Sequence, residues 1–260
     1  MKRNVLLVAV MVFVFGAMLS AAEPVVVKPF NGVNFDGWQV KPGRQNVWTV
    51  GRLASNSVAD SATKFEVLPM RGGQGGQGAG AAGGAGPRGV MINDTGNDWR
   101  DARPGRGADI YTTEKFGDCT VKVEFLVLKG GNSGVYLMGE YEVQIADIFG
   151  RPANRPLGQG DMGAIYSAAP PSRNAASMPG TWQSFEIEFV APKFDAEGNK
   201  TANAFFKKIT LNGIVVQEDV EVKGPTGGGL TMKEAPTGPL MFQGDHGPIA
   251  FRNVEIIVNK

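Results

Sequence analysis

Beyond residue 108 the chain is written in short runs of alternating apolar and polar positions, each of which predicts a strand. Over residues 119–128, Val121, Val123, Phe125 and Val127 alternate with Lys122, Glu124 and Leu126. That period of two sends successive side chains to opposite faces. Residues 141–147 repeat it, with Tyr141, Val143 and Ile145 on one face and Glu142 and Gln144, preceded by Glu140, on the other. The same reading expects strands at 109–112, 135–138, 164–166, 182–190, 204–211, 214–222, 240–243 and 249–258. Asn212-Gly213 joins two of these, and this pair favours the positive φ values of a tight hairpin turn. Nearer the N-terminus, residues 47–53 read as two short strands about Gly51, and 55–108 as a long irregular region. Past Ala22, no window longer than about ten residues keeps a helical period. Many short strands with Gly and Pro turns indicate an all-β sandwich or barrel.

The first 22 residues carry a different pattern. Lys2 and Arg3 precede an apolar run over 5–19 and the small residues Ser20-Ala21-Ala22. This is the layout of a secretory signal peptide, with cleavage expected after Ala22 and a single domain over 23–260. The apolar run is shorter than the ~20 residues a spanning helix needs, so no membrane attachment is expected after cleavage. The expected location is the periplasm or the cell exterior. Within the domain, residues 71–88 are almost only Gly, Ala and Gln and read as a flexible surface insertion. The 26 basic side chains are matched by 25 acidic ones with no basic run, which argues against a nucleic-acid partner. Cys119 is the only cysteine, so the fold must rely on its core rather than on an internal disulfide framework.

Candidate chemistry begins at the polar face of 140–144. Glu140, Glu142 and Gln144 are not interleaved there with Lys, Arg or Thr. Like charges two apart on one face repel, so the pattern costs stability unless something uses it. His246, the sole histidine, is either a turn residue held by hydrogen bonds or an acid/base or metal-binding group beside Asp245. Asp147 stands at a strand end, where it either orients His246, binds an ion or caps a loop. Tyr136, Tyr166 and Trp182 are candidates to stack on a sugar ring, although aromatics in strands more often belong to the core.

Several segments in order carry a family resemblance. They are Phe30-Asn31-Gly32 with Gly37-Trp38, Asn132-Ser133-Gly134-Val135-Tyr136-Leu137, Tyr141-Glu142-Val143-Gln144-Ile145 with Asp147, and Gly163-Ala164-Ile165-Tyr166. Pro179-Gly180 with Trp182, Leu211-Asn212-Gly213, Gln243 with Asp245-His246-Gly247, and Phe251-Arg252-Asn253-Val254 continue them. On these residues the chain resembles the 3-keto-disaccharide hydrolase family. The resemblance implies a concanavalin A-like jelly-roll β-sandwich of two antiparallel sheets, and glycosidase-type activity on a carbohydrate partner already oxidised to a ketone at C3. A ketone there acidifies the C2 hydrogen, so a base can start an elimination that water then completes. Glu142 is the expected base and His246 its catalytic partner. Tyr136, Gln144, Asp147, Glu140, Gln243 and Trp182 are expected around the substrate. A divalent cation on Glu142, Asp147 and His246 would polarise the carbonyl, but no spaced ligand motif accompanies them. Two other readings stay open: a non-catalytic carbohydrate-binding module on the same fold, and a laminarinase-type glucanase, which needs two carboxyls about 5–5.5 Å apart.

Overall fold

Antiparallel pairing arranges the strands into two facing sheets, seen in a computed structural model that describes residues 23–54, 65–70, 89–94 and 107–258. The expected leader at 1–22 and the Gly-rich 71–88 lie outside the described residues. Sixteen strands are found among the residues described. They are β1 (Val25–Val27), β2 (Trp38–Val40), β3 (Trp48–Leu53), β4 (Val67–Leu68), β5 (Val90–Asn93), β6 (Ile110–Phe116), β7 (Cys119–Val127) and β8 (Asn132–Leu137). They continue as β9 (Tyr141–Ala146), β10 (Trp182–Val190), β11 (Lys193–Phe194), β12 (Lys200–Ala202), β13 (Ala204–Leu211), β14 (Ile214–Val222), β15 (Gly238–Phe242) and β16 (Ile249–Val258). The larger sheet runs β14-β13-β10-β7-β16-β5-β3-β4, with β1 also paired to β16; the smaller runs β2-β6-β15-β8-β9. The expected jelly-roll sandwich is the architecture found, with β11–β12 added as a separate ribbon.

The alternation explains how the sheets face each other. Val121, Val123, Phe125 and Val127 of β7 and Phe185, Ile187 and Phe189 of β10 meet Val135, Tyr141, Val143 and Phe242 of the smaller sheet in one core. Phe242 stacks on Phe251 across the interface with ring centroids 4.0 Å apart, a contact worth about 0.5–1.5 kcal/mol beyond its area burial. Leu126 was placed by period on the polar face of its strand. It is buried in a second cluster with Phe65, Val90 and Ile92 on the far side of the larger sheet.

Four local expectations change. Residues 48–53 form one strand, and Gly51 is an interior position where a Cβ would stand 2.8 Å from Val67 Cγ1. The region read as irregular contains β5, whose four residues are all buried between β3 and β16. A fully buried strand shows no alternation, so its short apolar run gave little local signal. Residues 164–166 give only isolated bridges, from Ile165 to Val143 and to Ala169. Arg252 and Asn253, whose alternation in the last strand reads as buried hydrogen-bonding structure, are half-exposed and exposed, and both donate to Glu124. The Asn212-Gly213 hairpin forms as expected, with φ of 54° and 76°.

Candidate active site

On the outward face of the smaller sheet, strand register sets Tyr111, Met241, Tyr136 and Glu142 side by side. One step along, Gly134 lies opposite Gln144. Gly134 is necessary there: a Cβ on it would stand 2.2 Å from Glu142 Oε1 and 2.8 Å from its Cγ. The absent side chain is the space into which the Glu142 carboxyl folds.

Residues 224–232, between β14 and β15, cross above this row as a strap. Glu142 N donates to Thr226 Oγ1 (3.0 Å) and the Tyr136 hydroxyl to Gly227 O (3.0 Å). Lys41 Nζ donates to Gly228 O (3.0 Å), Gly229 O (3.2 Å) and the Asp109 carboxylate (3.2 Å). Gly228 has φ of +82°, and a Cβ on it would stand 2.8 Å from the Tyr136 oxygen. The opposite wall is the turn between β15 and β16, which is pinned from two sides. Asn93 Nδ2 donates to Gly244 O (2.7 Å) and Gly247 O (2.8 Å), and Gly244 N donates to Asp109 Oδ1 (3.0 Å). This turn carries His246 to the pocket.

The pocket has a volume of about 200 Å³, and Glu142, Gln144, Tyr136, Gln243 and His246 all line it. Glu142 is only 2% exposed, and burial pushes its pKa from 4.5 up to about 8. The Tyr136 phenol and His246 act in the opposite direction, while Asp109 and Asp245 add to the rise. With its amide nitrogen facing the strand, Gln144 donates to Ser133 O (3.2 Å) and Glu142 Oε1 (2.8 Å); that orientation is assigned from the hydrogen-bond network. His246 Nδ1 is bonded to Asp245 Oδ1, and this bond raises the imidazole pKa above its ordinary value. Burial alone would raise the Asp245 pKa, but the imidazole, Arg44 and Lys41 outweigh it and hold the carboxyl below the usual range. Arg44 contacts the second Asp245 oxygen at 3.0 Å. The pocket therefore holds a carboxyl that keeps its proton near neutrality and an imidazole biased towards its charged form. Such a pair can exchange protons with a bound molecule.

Asp245→Asn is expected to lower the His246 pKa. The protein has one histidine, so untagged protein gives a single imidazole titration by NMR. An unmoved curve would show that Asp245 is not what charges the ring.

Three expected site residues stand elsewhere. Met138 and Gly139 have positive φ (55° and 71°) and draw Glu140 into the β8–β9 turn, out of the strand alternation. Its carboxylate accepts from Thr231 N (2.8 Å), Thr231 Oγ1 (2.6 Å) and Met232 N (2.9 Å), so Glu140 anchors the strap and does not pair with Glu142 in the pocket. Asp147 accepts from Gly130 N (2.8 Å) and Phe149 N (3.2 Å) and caps a loop. Trp182 belongs to β10 of the other sheet, where the Arg252 guanidinium lies 4.0 Å from its ring centroid. Tyr136 is 1% exposed, and its hydroxyl lies between Gly227 O of the strap and the Glu142 carboxyl, so it forms a wall rather than a stacking platform. Tyr166, at 36% exposure, is the more open ring at the pocket. Sequence reasoning missed Asp109 and Lys41, which lie far along the chain and carry no local motif, and gave Asn93 no role in the site. Among the described residues no group of three or more His, Cys, Asp or Glu side chains is gathered so as to hold a metal ion, and Asp147, one of the three expected ligands, is engaged by Gly130 and Phe149 instead.

No curated protein matches the chain. The crystal structure of a candidate glycosyl hydrolase from Parabacteroides distasonis is similar at 25% identity and a TM-score of 0.54, covering 92% of this chain and 93% of that one. A second candidate glycosyl hydrolase from the same organism is similar in fold, at 16% identity and a TM-score of 0.52, over 90% and 94% of the two chains. The family of 3-keto-alpha-glucoside-1,2-lyase-like domains matches residues 26–257, nearly the whole chain beyond the expected leader. The chain belongs to the 3-keto-alpha-glucoside-1,2-lyase-like domain family.

Proposed function

We propose that this protein is a glycosidase-type enzyme that cleaves glycosides carrying a ketone at C3, acting in the periplasm or outside the cell. The observation that carries the reading is the Glu142 carboxyl, buried at 2% exposure with its pKa raised to about 8 in a pocket it shares with His246. A base of that strength is well matched to a C2 hydrogen acidified by a neighbouring ketone. Family membership and the Parabacteroides relative support the same reading.

In the proposed mechanism ionised Glu142 takes the C2 proton, and the C2–H electron pair becomes an enolate across C2 and C3. The enolate collapses to restore the C3 ketone and form a C1–C2 double bond. The C1–oxygen bond breaks, and protonated His246 gives its proton to the departing oxygen. Water then adds across the double bond, its hydroxyl to C1 and a proton from Glu142, exchanged with solvent as the aglycone departs, to C2, while neutral His246 accepts the second water proton. The net change is hydrolysis, and both side chains return to their starting states. Gln144 holds one Glu142 oxygen in place. No step runs through a metal ion.

The test is turnover of a 3-keto-glucoside and its 3-hydroxy parent in deuterated water. Release of aglycone from the ketone alone, with deuterium at C2 of the sugar product, is expected. Equal turnover of the 3-hydroxy parent would sink the elimination route, and no turnover would sink the activity. Binding of sugar with no product would favour the carbohydrate-binding module.

A further inference from the structure

The strap and the turn that carries His246 are bonded to one buried carboxylate. Asp109, 4% exposed, stands just before β6, and Lys41 just after β2; these are paired strands of the sheet that holds Glu142. Asp109 Oδ1 accepts from Gly244 N (3.0 Å), two residues before His246, and Oδ2 accepts from Lys41 Nζ (3.2 Å). The same ammonium donates to the strap carbonyls of Gly228 (3.0 Å) and Gly229 (3.2 Å). Lys41 N also donates to Asp109 O (2.8 Å), so backbone and side chain both hold the two residues together. Gly244 comes this close because it lacks a side chain: a Cβ on it would stand 2.1 Å from Ala108 O. Polar contacts thus run from Gly228 O through Lys41 and Asp109 to Gly244 N, and neither side chain lines the pocket.

We infer, on the acid/base reading of Glu142 and His246 given above, that Asp109 is a positioning residue: with Lys41 it fixes where the imidazole stands relative to the Glu142 carboxyl. The turn joins a strand of each sheet. Asn93 holds it from the larger sheet, and Asp109 holds it from the smaller one. Arg44 also reaches the turn, through Asp245, but its side chain is 43% exposed and water screens that contact. A buried carboxylate is costly unless its oxygens are used, and here each oxygen holds a different wall. Burial raises the Asp109 pKa and the Asp245 charge adds to the rise, while the Gly244 amide and Lys41 favour the ionised form. His246 is charged chiefly by its bond to Asp245, and the Asp109 charge adds to that.

The test follows the single imidazole by NMR in untagged protein, together with turnover of a 3-keto-glucoside. Lys41→Met removes the ammonium from Asp109 and the strap without touching the turn. It should nevertheless shift the His246 ring signals and lower kcat about tenfold. Kd for the 3-keto-glucoside, measured by calorimetry in a Glu142→Gln background, should stay within about twofold, because Lys41 does not line the pocket. Lys41→Arg, which keeps charge and donors, should restore most of the loss. Asp109→Asn keeps an acceptor for Gly244 N and loses the charge; it should lower both kcat and the imidazole pKa, and it serves if Lys41→Met does not fold. Glu140→Gln is the control: it loosens the strap at Thr231 and Met232, away from Asp109, and should leave the ring signals in place. An unmoved ring signal or an unchanged kcat in Lys41→Met would overturn the proposal. So would a loss carried by Kd, or a Glu140→Gln shift as large as that of Lys41→Met. Wild-type protein that turns over no keto-glycoside overturns the reading of the pair as catalytic, while the ring signals still decide whether Asp109 and Lys41 place the imidazole.

Discussion

Glu142→Gln is expected to reduce turnover of a 3-keto-glycoside by about 10²–10⁴-fold, the usual contribution of a positioned general base, and to raise stability at alkaline pH. The second effect follows from the pKa. Unfolded, the carboxyl releases its proton around 4.5; folded, it holds it until about 8. Between those values the unfolded chain has lost a proton that the folded chain keeps, so this residue makes wild-type stability fall as pH rises through the window. Glutamine has no such proton. Melting temperatures of the two proteins should therefore differ little from this cause at pH 4, while the variant gains relative to wild type up to pH 8 and keeps that gain above it. Wild-type kcat/KM should climb about tenfold per pH unit while Glu142 and His246 both hold their protons, as the ionised fraction of Glu142 grows, and should fall once Glu142 is ionised and His246 has lost its proton. A variant that is both active and no more stable at pH 9 would remove Glu142 from the mechanism and from the buried state described above.

Gly134→Ala is expected to cost nearly as much activity without touching a group that carries chemistry. Gly134 lies within β8, where alanine is conformationally acceptable, so the effect comes from space alone. The new methyl would occupy the position of Glu142 Oε1, 2.2 Å from the ideal Cβ, with Cγ and Cδ at 2.8 and 2.9 Å. The end of the Glu142 side chain must move from the position it holds. A displaced base loses the alignment on which proton abstraction depends, and misplacement by about 1 Å can cost on the order of 10²-fold. Gly160→Ala is the matched control, because nothing stands within 4 Å of a Cβ built there. Both variants should show a folded circular dichroism spectrum and cooperative melting. If Gly134→Ala kept more than half of wild-type kcat/KM, Glu142 would not be confined as its contacts require.

How much of this was legible in the chain depends on how local each signal is. Glu142, Gln144 and His246 were found from a strand period and a turn. Glu140 was lost to the turn that Met138 and Gly139 make, where alternation no longer applies. Asp147 could not be told from a loop cap until Gly130 and Phe149 were seen to use it. Trp182 carried the right aromatic chemistry on the wrong sheet.

By itself the sequence determined the all-β class, the 212–213 hairpin and the alternation that turns Glu142 and Gln144 away from the core. Pleat and turn preferences act over a few residues, so each run states its own geometry. The tertiary structure alone decided what covers that outward face. The strap meets Tyr136 across 91 residues and Lys41 across 187, and Asn93 holds the His246 turn across 151. No local period records such distant meetings. They shut water away from Glu142, and that desolvation turns an ordinary carboxyl into one that keeps its proton to about pH 8.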